Sequence, residues 1–432
     1  MSAGFSPSGR LLEIRAGFQS SFWVANFTEI FERLAYYGTL AVLAIYLNEQ
    51  LHFSAQLTSS VIGTFGLVVY FLPVLGGALA DRFGFRRALL FAFSVMTVGY
   101  FLLGSLSAPW MRSVRASLGD EWLVLALLVI PALGPATVKP CVAGTTARAS
   151  KENLRSLGYS IYYTMVNVGG TLGPLMALGV RKRLGMESVF RVSALSVFLM
   201  FWVVLLFYRE PSDGSNEDGA ALSTAFQNMI VVLGNLKFVT FLLISSGFYL
   251  VYWEIYIMAP LFLRGFVNHD ADVDGLLAIE GFAVICLQIL VAYLTRKLPA
   301  VPTIALGFLI TGLAFSLLAI HPSVISFAVM LVVVAIGEVT QASRYYEYCS
   351  RLAPAGQQGL YMGYAFPPIG LGFKLAGWTG GYLLHEFGDV LHRPAQMWWP
   401  IVGIGVLTAG AMLAYDMIVK PGGTIPQGGK AI

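Results

Sequence analysis

The feature that most constrains this chain is a series of long apolar runs joined by short loops. A helix needs about 20 mostly apolar residues to cross a bilayer. Candidate spans fall at 22–48, 57–80, 88–107, 122–147, 157–180 and 188–208, then at 238–263, 275–295, 302–320, 323–347, 359–385 and 398–418. Only 12% of the 432 residues are charged and 57% are hydrophobic, whereas a soluble domain carries about 25% charged residues. That leaves too little polar surface to cover a water-facing exterior, so lipid is the solvent for much of it. The fold class is therefore an all-α integral membrane protein.

The most polar stretch, EPSDGSNEDG, lies between Arg209 and Asn235 and divides the spans evenly. It predicts a six-helix bundle over 1–208, a cytoplasmic linker over 209–235 and a second six-helix bundle over 236–432. Such a duplicated transporter relates its halves by a pseudo-two-fold axis and places its site between them at mid-membrane. The loop arginines and lysines gather on the side that would hold both termini, among them Arg82, Arg86, Arg87, Arg148 and Lys151. This predicts a multi-pass protein of the plasma (inner) membrane with cytoplasmic termini. Arg181-Lys182-Arg183 runs against that rule. On the same outer side Asp270, Asp272 and Asp274 are expected to form a solvated acidic patch. The first apolar run never reaches a small-residue cleavage site and is expected to act as its own insertion signal.

Ionisable groups inside a span cost at least about 2.5 kcal/mol each on insertion scales, and they commonly face a polar cavity. Glu29, Glu32, Arg33, Lys139, Arg191, Glu280, Glu338, Arg344, Glu347 and Lys374 lie in or near spans. Glu29 and Arg33 are four residues apart and can meet on one helix face, which Tyr36 and Tyr37 continue. Glu32 points about 100° away around the helix. Two carboxylates thus compete for one guanidinium, which stays charged. A change of pairing would load or release a proton; a fixed pairing would serve only helix packing. Lys139, beside Pro140, must find an anion, a carbonyl or water. It is placed to pair with Glu29 or Glu32, to hold a substrate carboxylate, or to snorkel to the interface. Glu338, in LVVVAIGEV, is a lone carboxylate suited to a substrate amine. Arg344 and Glu347 are spaced to pair with each other at i,i+3. Lys374 has no obvious partner in sequence.

Other chemistries find little support. His52, His269, His321, His385 and His392 fall at span ends or in loops without metal spacing, and the sequence has no Walker loop. Cys141, Cys286 and Cys349 stand apart in separate apolar segments, which suits packing. No metal and no cofactor beyond a coupling proton is expected, and no enzyme activity.

Gly77 to Arg87, GALADRFGFRR, resembles the loop after helix two of the major facilitator superfamily, with Gly77, Asp81, Arg82, Gly84, Arg86 and Arg87 as an inner gate. Glu29-x-x-Glu32-Arg33, followed by Tyr36-Tyr37-Gly38, resembles the proton-dependent oligopeptide transporter family of that superfamily. Lys139-Pro140, Tyr162-Tyr163-Thr164-Met165-Val166-Asn167, and Glu338 with Leu352-Ala353-Pro354 and Gly359-x-x-Met362-Gly363 resemble three further segments of it. The resemblance implies a twelve-helix major facilitator fold and a proton-coupled symporter working by alternating access. It would carry di- or tripeptides or peptide-like solutes inward.

By that resemblance Glu29, Glu32, Arg33 and Lys139 would couple the proton. Arg33 and Lys139 would meet the peptide carboxylate, and Glu338 the amine. Tyr36, Tyr37, Tyr163 and Asn167, with Tyr252, Trp253 and Glu254 of the seventh span, would line the cavity. The implied partners are short peptides as small-molecule substrate and the lipid bilayer, with no nucleic acid, and the chain is expected to be a monomer. The chain departs from the family where Gln341 to Tyr346 replaces a Ser-Pro element, where the eighth span lacks an asparagine, and where Glu254 adds an acid. The family's two extra central helices have no counterpart here. The departures fall at the amine end of the cavity. The alternative is a proton-coupled carrier of another solute, an organic anion or a drug-like amphiphile.

Overall fold

The computed structural model describes residues 17–73, 76, 80, 82–211, 232–353 and 358–419. Twelve long helices follow one another: α1 Ser20–Ile45, α2 Ala55–Phe71, α3 Phe85–Leu103, α4 Asp120–Arg148, α5 Arg155–Leu184, α6 Met186–Phe207, α7 Leu236–Phe262, α8 Val273–Thr295, α9 Ala300–Ala314, α10 Val324–Leu352, α11 Pro367–Leu384 and α12 Trp398–Val419. Among the described residues nine helices are long and apolar enough to cross a bilayer, and α2 is a shorter apolar helix. On the outward faces Ile289, Leu407 and Ile418 are exposed, as lipid-facing side chains are. Most of the 209–235 linker, at 212–231, lies outside the described residues.

Local chemistry sets many helix ends. The Ser54, Asn235 and Ser323 side chains accept the backbone N–H of Leu57, Phe238 and Ser326, capping α2, α7 and α10. Two expected spans are interrupted. The ninth breaks at Phe315 and resumes as a short helix, Ser316–Ile320; there Ser316 Oγ donates to the Leu313 carbonyl at 2.6 Å, in competition with the helical ladder. The eleventh divides into Gln358–Gly363 and α11, which starts at Pro367-Pro368. Proline lacks an N–H and fits a helix start.

Helices α1 to α6 pack on one another, as do α7 to α12, and the halves meet chiefly through α2 with α11, α5 with α8 and α1 with α7. The face carrying residues 17–19, 148–151 and 208–211 is called the terminal face; there Gln19 N–H donates to the Ala149 carbonyl and Lys151 N–H to the Gly17 carbonyl. At the opposite, distal face the halves are closed. Arg181 on α5 pairs with Asp272 at 2.9 Å and with Asp274 on α8 at 2.8 Å, Lys182 pairs with Asp272, and Glu49 pairs with Arg264 at 2.8 Å. The expected solvated acidic patch is thus a cross-half ion-pair cluster at Asp272 and Asp274, with Asp274 buried. The same pairing accounts for Arg181-Lys182-Arg183, since two of those charges are neutralised by the other half. Along α5, Gly169, Thr171, Gly173, Pro174 and Ala177 are buried. Residues 161–168 are half-buried right round the helix, so toward the terminal face α5 lines an accessible space.

Candidate functional site

The site is built on α1. Glu29 and Glu32 are fully buried and Arg33 is 2% exposed. The guanidinium contacts both carboxylates: Arg33 Nε lies 3.3 Å from Glu29 Oε1 and donates a hydrogen bond to Glu32 Oε2. Arg33 Nη2 and both Glu29 oxygens have no hydrogen bond among the described residues, so the guanidinium has a donor to spare. Three charges fit here because α5 comes unusually close. A Cβ on Gly169 would collide with the Ile30 carbonyl and with Arg33 Cβ, so only glycine permits this approach.

The tyrosines complete the cluster. Arg33 Cζ lies 5.2 Å from the centre of the Tyr36 ring. Tyr37 is half-buried, with its ring 5.9 Å from that of Tyr256 on α7. Lys139, half-buried on α4, makes no ion pair among the described residues; its Nζ sits 3.8 Å above the ring of Tyr70, a cation–π contact. It remains within electrostatic reach of Arg33, Glu32 and Glu29. Tyr70 also feels Arg33, Glu32 and Glu338. It therefore stands between the two charged ends of the site, a position that its isolated place in the second span did not signal.

The other end belongs to the C-terminal half. Tyr252 Oη on α7 lies 3.2 Å from Glu280 Oε1 on α8 and 3.4 Å from Glu338 Oε2 on α10. Glu280 is 5% exposed and Glu338 is half-buried. Glu280 stood out in sequence as an in-span charge but had no assigned role. Tyr162 and Tyr163, adjacent on α5, bridge the ends: Tyr162 is within reach of Glu29 and Arg33, Tyr163 of Glu338 and Glu280. Asn167 turns its amide back to the Tyr163 carbonyl at 2.8 Å. Trp253 is buried and stacks on Phe373 of α11 at 4.1 Å. Glu254 stands apart from both charged ends, fully buried with Thr379 of α11 donating to it at 3.3 Å.

Lys374 on α11 donates to Thr64 Oγ1 on α2 at 2.7 Å, tying the halves together. Arg344 pairs with Glu347 at 2.8 Å, as their spacing predicts, and also donates to the Thr295 and Arg296 carbonyls. In the α2–α3 loop, Gly84 adopts φ 84°, a conformation that favours glycine. Arg86 N–H donates to the Glu210 carboxylate and its guanidinium to the Leu205 carbonyl, both at 2.7 Å. Arg82 and Arg87 are exposed. Gly77 and Asp81 lie outside the described residues. None of the described His, Cys, Asp or Glu residues group as metal ligands.

Two helical halves with buried charges facing each other define a polytopic membrane transport protein. The chain belongs to the Major Facilitator Superfamily, whose family model matches residues 25–373; it is a transport protein and not an enzyme. It is 22% identical to "Multidrug resistance protein MdtH" of Yersinia enterocolitica over 376 residues, 87% of this chain and 89% of that one. The Yersinia pestis protein of the same name is 22% identical over 88% of this chain and 90% of its own. Among solved structures, a POT family transporter in complex with a thioalcohol-conjugated peptide superposes with a TM-score of 0.77 at 15% identity, covering 92% of this chain and 96% of that one. The peptide transporter POT in complex with sulfate gives 0.73 at 18% identity, covering 94% and 98%. These structures share the fold of this chain.

Proposed function

We propose that this protein is a proton-coupled symporter of the oligopeptide transporter type, moving di- or tripeptides or peptide-like solutes inward across the plasma (inner) membrane by alternating access. The observation that carries this reading is the buried Glu29–Arg33–Glu32 cluster facing Lys139. With all four groups ionised, two negative and two positive charges cancel. A substrate carboxylate that takes the spare donor of Arg33 and the ammonium of Lys139 adds one negative charge. In a site this buried, an uncompensated charge is costly, so a proton on Glu29 or Glu32 restores neutrality. Binding and protonation therefore favour each other. No other coupling ion or cofactor is needed, and a monomer contains the whole site.

The distal closure and the accessible terminal side of α5 support an inward-facing state, with cytoplasmic termini. Rocking of one half against the other would break the Arg181–Asp274, Glu49–Arg264 and Thr64–Lys374 contacts and expose the same site to the other side.

The test is uptake of labelled dialanine into sealed liposomes with and without an inward proton gradient. Gradient-stimulated accumulation, competed by unlabelled dipeptides, is expected; folded protein without accumulation overturns the peptide reading. A second reading is proton-coupled movement of an amphiphilic cation. It is favoured by the two carboxylates of Glu280 and Glu338 in an aromatic-lined cavity, and by the relatives named as multidrug resistance proteins.

A further inference from the structure

Lys374 on α11 has no part in the central site, and its surroundings face the bilayer. Its neighbour Phe373 points inward, stacked on Trp253, and successive residues turn about 100° around a helix. Trp378 and Tyr382, one and two turns further along the Lys374 face, are 59% and 60% exposed. Beside them on α2, Thr64 is half-buried and Phe71 exposed. The two backbones touch at the lysine: a Cβ on Gly63 would lie 3.1 Å from Gly377 Cα and 3.3 Å from Lys374 Cα. That leaves no room between the helices for a long side chain, so the lysine emerges at the outer edge of the seam.

At about 1.5 Å per residue, Thr64 and Lys374 lie about 15 Å below the distal ends of their helices, Ala55 and Leu384. The hydrocarbon core of a bilayer is about 30 Å thick. The ammonium therefore sits near mid-bilayer, too deep for a lysine stem to reach the interface. A charge at that depth ordinarily pairs or faces a water-filled cavity. Lys374 makes no ion pair among the described residues, and no charged group among them acts on it. One of its three donors goes to Thr64 Oγ1 at 2.7 Å, and the Thr64 proton is itself committed to the Ser60 carbonyl at 2.8 Å. The Trp378 ring, 5.2 Å from Nζ, offers only a cation–π contact. Two donors and a positive charge are left toward the lipid.

We propose that Lys374, with Thr64 and Trp378 beside it, is a lipid-side site on the α2–α11 seam for the carboxylate of a single-chain amphiphile, a fatty-acid anion. Depth selects the head group. A phospholipid phosphate stays charged and stays at the interface, whereas a carboxyl that takes up a proton is uncharged and can enter the hydrocarbon. Beside the ammonium it releases that proton to water, and the ion pair that forms is neutral. Its two oxygens match the two spare donors. The site is separate from Arg33 and Lys139 and does not depend on what the central cavity carries.

The test is quenching of Trp378 by 5-doxylstearic acid in full-length protein held in phosphatidylcholine nanodiscs. The Trp378 signal is the fluorescence lost in Trp378→Phe. Half-quenching should need at least about tenfold less of the acid than of its methyl ester, the size expected of a hydrogen bond to a charged group. Trp202 of α6, exposed and flanked by Phe198 and Phe201, should show no such preference. Lys374→Met should abolish the preference and Lys374→Arg should keep it, and dialanine should not displace the acid. Equal quenching by acid and ester in the wild type overturns the proposal, and so does a preference that survives Lys374→Met. Displacement by dialanine, or stronger quenching by a doxyl-labelled anionic phospholipid than by the acid, overturns it as well. The comparison of acid with ester needs no variant at Lys374, so it holds even where that variant fails to fold. Failure of dialanine uptake in liposomes would remove the peptide reading and leave this result unchanged.

Discussion

Arg181, near the end of α5, holds the buried carboxylate of Asp274, near the start of α8, at 2.8 Å, and so locks the two halves together at the distal face. Arg181→Ala leaves Asp274 buried without its partner. Breaking a buried pair from one side costs about 3–5 kcal/mol, and separating the halves relieves that cost. Alkylation of a cysteine placed at Leu178, which faces Gly275 across this seam, should rise at least about tenfold in Arg181→Ala. Unchanged labelling would mean that the pair does not hold the seam.

The same seam has a pH limit. Hydrogen bonds from Lys182 and Arg181 hold the Asp272 carboxyl below the ordinary aspartate value of 3.8. A group whose value is lowered in the folded state stabilises fully above its ordinary value and loses that contribution as pH falls through the lowered one. Only the thiolate reacts, so labelling at Leu178→Cys is read as a ratio to that of a small free thiol at the same pH; the ratio should stay flat from pH 8 to 5 and rise below about pH 4. A rise already between pH 7 and 5 would assign the closure to a different group.

Gly169 sets how closely α5 approaches α1. Gly169→Leu drives a side chain into the Ile30 carbonyl and Arg33, and overpacking of this kind costs about 1–3 kcal/mol or more. The expected outcome is a lower melting temperature together with loss of transport. Gly179→Leu, on the same helix where an added Cβ meets nothing within 4 Å, should leave stability nearly unchanged. Equal stability of the two variants would contradict the close approach.

Lys374 joins α11 to α2 through Thr64. A hydrogen bond from a charged group contributes about 1.5–3 kcal/mol. Thr64→Val should remove it without changing the shape of the seam, and Lys374→Met should remove it from the other side. Their effects on Leu178→Cys labelling should be strongly non-additive, since both delete one bond. Additive effects would show that the two residues act separately.

The parts of the site legible in sequence were those set by local geometry. Glu29 and Arg33 are four residues apart, so the i,i+4 rule placed that pair, and i,i+3 spacing paired Arg344 with Glu347; Glu32, read as pointing away around the helix, in fact bonds the same guanidinium. Lys139 was read as a cation within the fourth span, but its seat over Tyr70 joins two helices and has no local signal. Contacts between halves were equally hidden: Thr64 with Lys374, and Arg181 with Asp272 and Asp274, lie far apart in the chain. Arg181-Lys182-Arg183 left a trace, as a break in the charge rule whose cause lay in the other half. The helix count followed from the length of the apolar runs, whereas the break at Phe315 goes with a side-chain hydrogen bond that hydropathy does not register, and the one before Pro367 with the missing N–H of the prolines.

The central claim is that proton and substrate meet at the Glu29–Glu32–Arg33 cluster. The most direct measurement compares driven uptake with dialanine counterflow in liposomes containing wild-type protein, Glu29→Gln or Glu32→Gln, since counterflow needs no proton gradient. The account predicts gradient-driven accumulation in the wild type, its loss in at least one variant, and counterflow retained there at a comparable rate. Undiminished gradient-driven accumulation in both variants would contradict it.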